Sequence, residues 1–158
     1  MATTNNTLAA TRKTTLSAQA RAYSGFTHKW TVKYTDVDDG AGATDDIILA
    51  LGNTPTDFII TKAMVNVTTA FAGTAGTFKI EVGTDGDDNN FIETTSVKTA
   101  GPIIAALGAT PKTLVGTFAV TADALTATFT NASSGAPANL TAGQLDIYLG
   151  MINANDVG

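Results

Sequence analysis

The 158-residue chain has no cysteine, so neither disulfides nor thiolate metal ligands are open to it, and its stability has to come from burial or assembly. Its one histidine, His28, cannot form a two-histidine metal site, and no Gly-x-Ser-x-Gly elbow accompanies it as a catalytic companion. His28 is therefore read as structural. No apolar run approaches the roughly 18 residues of a membrane span, and MATTNNTLAATRKTTLSAQA lacks the apolar core of a secretory signal. The expectation is a soluble product made in a cytoplasm, with no membrane partner. Acids are missing from the first 35 residues, which carry Arg12, Lys13, Arg21, Lys29 and Lys33; all 14 acids lie from Asp36 onward. That later part holds four Lys against 14 acids, a balance of -10, which argues against a nucleic-acid footprint on the globular part. The basic segment suits an acidic partner instead.

What is present points to β structure. The chain has 29 Thr, 26 Ala and 15 Gly, and threonine fits exposed pleated faces. Its length and 44% hydrophobic content suit one domain with a real core. The clearest stretch is residues 71–92, FAGTAGTFKIEVGTDGDDNNFI. Phe78, Ile80 and Val82 alternate with Thr77, Lys79 and Glu81, a period of two that predicts a half-buried strand. The loop Thr84 to Asn90 carries Asp85-Gly86, suited to the positive φ angles of a tight connection, and Phe91-Ile92 is expected to begin the return strand.

Residues 1–26 show neither sustained periodicity nor turn chemistry and are read as a flexible N-terminal arm, with residues 27–158 as the sandwich domain. The arm is either a loose terminus or a segment that orders on a neighbouring subunit. Its candidate contacts are the apolar anchors Leu8, Leu16, Tyr23 and Phe26 and the basic Arg12, Lys13 and Arg21. Further strands are expected with His28, Trp30, Val32 and Tyr34 on one face, over Ile47 to Leu51, and over Phe58 to Thr69 with Ile59, Ala63, Val65 and Val67 toward one side. Ile103 to Leu107 reads equally as helix or strand. Leu114 to Thr121, Leu125 to Asn131 and Gln144 to Ile152 read as strands, with Ala132 to Gly143 a loop. The tally is an all-β, single jelly-roll-like antiparallel β-sandwich of about eight strands with an extended N-terminal arm.

Two acidic loops invite a test for calcium, which favours clustered oxygen ligands. Asp36-Val37-Asp38-Asp39-Gly40 has glycine where the fifth position of an EF-hand needs an oxygen, and Asp85-Gly86-Asp87-Asp88-Asn89-Asn90 has asparagine where the sixth needs glycine. Neither closes with the bidentate glutamate, and both read more readily as solvated turns. Asp45 and Asp46 are adjacent, so on a strand they point to opposite faces rather than converge as acid and base. No catalytic, cofactor-binding or metal residue is assigned, and no cofactor is expected.

The order Val65 to Phe71, Gly76 to Thr84, Phe91, and Leu140-Thr141-Ala142-Gly143-Gln144-Leu145-Asp146-Ile147-Tyr148 resembles small β-sandwich structural proteins of tailed-bacteriophage particles. The resemblance spans most of residues 27–152 and consists of strand and turn patterns. It implies a non-enzymatic head decoration (cement) protein on the capsid exterior, partnered by the major capsid protein and by itself as a homo-oligomer, a trimer. Another virion component, such as a head fibre base or tail protein, is the first alternative. A carbohydrate-binding sandwich is the second; with Trp30 and Tyr34 on a strand's core side, the residues give it little support.

Overall fold

A computed structural model describes residues 3–8, 12–37, 46–53, 58–73, 77–104, 118–119, 124–130 and 140–153. In order these form β1 (Thr3–Thr7), β2 (Lys13–Thr15), α1 (Ala18–Ser24), β3 (His28–Lys33), a 3-10 turn (Tyr34–Asp36), β4 (Asp46–Asn53), β5 (Phe58–Gly73), β6 (Lys79–Thr84) and β7 (Asp87–Ser96). They continue with β8 (Gly101–Ile104), β9 (Phe118–Ala119), β10 (Ala124–Thr130) and β11 (Leu140–Asn153). The first sheet has the order β1-β4-β10-β6-β7 and the second β2-β3-β11-β5-β8, with β9 also paired to β5. Pairing is antiparallel except where β1 lies parallel to β4. The chain is an all-β sandwich.

Eight of these strands are paired in a nest: β3 with β11, β4 with β10, β5 with β8, and β6 with β7. The cause is the alternation of apolar and polar residues, which gives each strand one face to hide. Trp30 and Val32, Ile47, Leu49 and Leu51, Ile80 and Val82, Leu125, Ala127 and Phe129, and Leu145, Ile147 and Leu149 all turn inward and are buried. At one end Phe71, Phe78 and Phe129 pack with centroids 5.5 to 6.2 Å apart, within the usual range for aromatic pairs. At the other, the Trp30 indole N–H donates to the Leu51 carbonyl at 3.0 Å and so joins the two sheets.

Several expectations shift in the structure. The return of the 71–92 hairpin starts at Asp87, not Phe91, because Asp85-Gly86 alone makes the turn. Phe91 and Ile92 are neighbours yet both buried; the β6–β7 register slips on either side of the Val82–Ile92 pair, and the slip between Val82 and Thr84, on the Phe91 side, breaks the alternation so that both side chains are enclosed. On β5 it is Ile60, not Ile59, that enters the core beside Ala63, Val65 and Val67. The reason is again a bulge: Met151 faces Ile60 and Gly150 faces Lys62, leaving Thr61 as the extra residue that reverses the alternation. β11 begins at Leu140, four residues before the strand expected from Gln144. Gly143 sits within it at φ 146°, and a Cβ there would lie 2.4 Å from the Phe71 ring, so the glycine lets that ring reach the core. Residues 101–104 are strand, and most of the expected strand over 114–121 lies outside the described residues.

The segment expected to be an arm is laid on the chain's own sandwich. β1 extends the first sheet, β2 extends the second, and α1 stands between β2 and β3. The helix has ordinary causes: the Ser17 hydroxyl accepts from the Ala20 N–H at 3.2 Å, and Gly25 closes it at φ 72° with its N–H on the Arg21 carbonyl at 2.8 Å.

Candidate interaction surface

The seven residues singled out at the N-terminus separate into distinct environments. Leu8 is buried in the core, and its N–H donates to the Ala50 carbonyl at 3.1 Å. Arg12 pairs with Asp36 at 3.3 Å; the other Asp36 oxygen accepts from the Lys33 N–H at 2.7 Å, so this carboxylate ties β2's approach to the end of β3. The Lys13 ammonium sits 5.5 Å from the Trp30 ring centre. Leu16 is half-buried, with its N–H on the Thr27 carbonyl. Arg21 lines a groove of about 410 Å³ with Thr15, Thr27, His28, Met151, Ile152 and Asn153. Tyr23 is 85% exposed. Phe26 lies half-buried against Tyr148, ring centres 5.7 Å apart.

His28 stacks on Trp30 at 5.8 Å, and its Nδ1 lies 2.8 Å from the Thr27 hydroxyl. Burial, then the positive charges of Lys13 and Arg21, hold its pKa below the ordinary 6.5. The imidazole is thus neutral at neutral pH, a polar wall of a groove whose formal charge comes from Arg21.

The outer face of the second sheet carries a cluster that the sequence reading did not single out. Antiparallel register sets Thr31 opposite Asp146 and Lys29 opposite Tyr148. Asp146 is buried although it points away from the core. Its carboxylate accepts from the Thr31 hydroxyl at 2.7 Å, from Lys29 Nζ at 3.1 Å and from the Tyr148 hydroxyl at 3.4 Å. Lys29 also lies 5.9 Å from the Tyr148 ring centre. Burial, followed by the adjacent carboxylate, raises the Tyr148 pKa above 10.0, against the smaller lowering effect of Lys29. The result is a pre-set surface of ammonium and phenol held by one carboxylate, with the Phe26 ring packed against the phenol. Its signal was present as alternating polar residues, Lys29/Thr31 and Asp146/Tyr148, but only the cross-strand register brings them together.

A second polar recess lies on the outer face of the first sheet. It has a volume of about 300 Å³ and is lined by Ile48, Thr84, Asp85, Gly86, Asp87, Thr126 and Thr128. The acidic turn at 85–87 therefore opens onto a threonine wall. Of the other acidic loop, residues 38–45 lie outside the described residues. Among the described residues no group of three or more His, Asp or Glu side chains is placed to hold a metal ion, and no helix is long and apolar enough to cross a membrane. Comparison with protein-family models, curated proteins and solved structures gives no match.

Proposed function

We propose that the chain is a non-enzymatic virion structural protein that binds and stabilises the outer surface of a phage capsid, acting as a decoration (cement) protein in a homotrimer. The observation that carries this reading is the outer face of β3 and β11, where Lys29 and Tyr148 are held on Asp146 and the Phe26 ring packs against Tyr148. Aromatic rings beside a fixed cation are the side chains that anchor protein interfaces, and a rigid patch loses little side-chain freedom on binding. The nested pairing of the eight strands supports reading the sandwich as a jelly roll. The phage assignment itself comes from the strand and turn pattern over residues 65–84 and 140–148. A carbohydrate-binding module is the second reading, favoured by the half-buried Phe26 and Tyr148 rings beside the Asp146 carboxylate.

The test is to mix the full chain with empty capsids of tailed phages and, in parallel, with a glycan panel. Saturable co-sedimentation with capsids, together with greater capsid resistance to heat, is the expected outcome. Tyr148→Ala or Lys29→Glu should weaken that binding by about tenfold, the effect of losing one interface anchor. Capsids that neither bind the chain nor gain heat resistance would sink the cement reading. A glycan that binds and is lost with Tyr148→Ala would install the second one.

A further inference from the structure

We infer that the acidic recess on the outer face of the first sheet is a docking site for the cationic α1 flank of a second copy of this chain. This inference rests on the reading of the protein as a homo-oligomer. The recess has Asp85 and Asp87 at its mouth, threonine hydroxyls along its wall and Ile48 as its apolar side. Thr84, Thr126 and Thr128 are only 7%, 5% and 6% exposed, and the Thr128 Oγ1 is buried with no hydrogen-bond partner among the described residues. Carboxylates and an unpaired hydroxyl beside an aliphatic wall match a long side chain that ends in a cation with several N–H donors, which describes arginine.

The chain itself presents such a group. Five of its nine Lys and Arg fall in the acid-free first 35 residues. Arg21 is exposed, takes part in no ion pair among the described residues, and stands near the 85%-exposed Tyr23.

The two patches also sit where a closed ring needs them. The Asp85 N–H donates to the Ala124 carbonyl, and Leu125 is registered with both Thr84 and Gly52, so the acidic turn lies at the end of the sandwich where β4 finishes. The groove beside Arg21 lies at that same end, since Asn153 faces Phe58 at the start of β5 and Trp30 reaches Leu51 of β4. Laterally the charged groups are apart: β2 is the terminal strand on the side of β3 and β4, while the β6–β7 turn that carries Asp85 and Asp87 belongs to the opposite side of the other sheet, the recess running from it toward Ile48 of β4. Rotation about an axis parallel to the strands leaves height unchanged. Such a rotation can bring the cationic flank of one copy to the acidic recess of the next, and the contact closes into a ring where the rotation divides a full turn evenly.

The experiment is sedimentation velocity on the free full-length chain over a range of protein and salt concentrations. The expected result is a concentration-dependent oligomer that weakens as salt rises. Arg21→Glu and Asp85→Arg should each raise the dissociation constant about tenfold or more, and the double exchange should recover most of the loss. Thr128→Val should weaken association several-fold while circular dichroism stays unchanged. A wild-type chain that remains monomeric at millimolar concentration overturns the inference. So does association indifferent to Arg21→Glu, or a double exchange that folds normally without recovering assembly. No capsid is present in this measurement, so its failure leaves capsid binding standing on its own test.

Discussion

The outer faces of the two sheets handle buried polar atoms in opposite ways. On the second sheet Asp146 points outward, is 6% exposed, and accepts from Thr31, Lys29 and Tyr148. On the first sheet Thr128 is equally buried at 6%, yet among the described residues its hydroxyl has no partner and the nearby Asp46 leaves one oxygen unpaired. A buried polar group without a partner destabilises the fold by about 1–3 kcal/mol, so among the described residues Asp146 is matched within its own sheet while Thr128 and Asp46 each keep one atom short of a donor. The difference separates a surface that is rigid before it meets anything from one whose chemistry asks for a visitor.

The comparison can be broken or sharpened in order of effect. Phe129→Ala removes a ring from the cluster beneath both faces and should destabilise by about 3–5 kcal/mol in urea unfolding, setting the scale; a loss under about 1 kcal/mol would contradict the core described above. Asp146→Ala should lose about 2–3 kcal/mol, less than for a fully enclosed ion pair because Lys29 still reaches water. The paired substitutions Thr31→Val and Thr128→Val are the sharpest contrast. The first should destabilise by about 1 kcal/mol, while the second should lie within about 0.5 kcal/mol of wild type or above it, since it deletes a hydroxyl that bonds to nothing. Equal losses from the two would erase the distinction.

The smallest effect is a pH slope. His28 is held below 6.5 in the folded chain, so the unfolded chain takes up a proton first. Stability from this source is complete above pH 6.5 and is lost as pH falls below it, and His28→Gln should flatten that part of the curve. A slope unchanged in the variant would show that another group titrates there.

Much of the sandwich is legible in the sequence because alternation is a local signal: Trp30/Val32 and Phe78/Ile80/Val82 announce their buried face without reference to any neighbour. Legibility fails where the alternation itself breaks. No residue type marks Thr61 as the extra residue of a bulge, and so the inward side chain moves from Ile59 to Ile60. The first 26 residues fail for another reason. Thr3–Thr7 carries no apolar alternation, and its place beside β4 is set by backbone pairing that any threonine- or asparagine-rich stretch could make. The short helix was signalled, by Ser17 before Ala18 and Gly25 after Ser24, but seven residues between caps are easily passed over in a chain of strands. Of the surface chemistry, Arg21 and Tyr23 were visible as residues, whereas the Asp146 cluster depends on pairing between positions 115 and 117 residues apart.

Trp30 has an optical consequence. It is the one tryptophan in the chain, it is 1% exposed, and its indole N–H spans from one sheet to the Leu51 carbonyl of the other. Intrinsic fluorescence is therefore a label-free gauge of whether the two layers remain joined: parting them hydrates the indole and moves its emission to longer wavelength. With the His28 ring 5.8 Å away, protonation of that imidazole should dim the same signal before the layers separate, so intensity and wavelength would report two different events from a single chromophore.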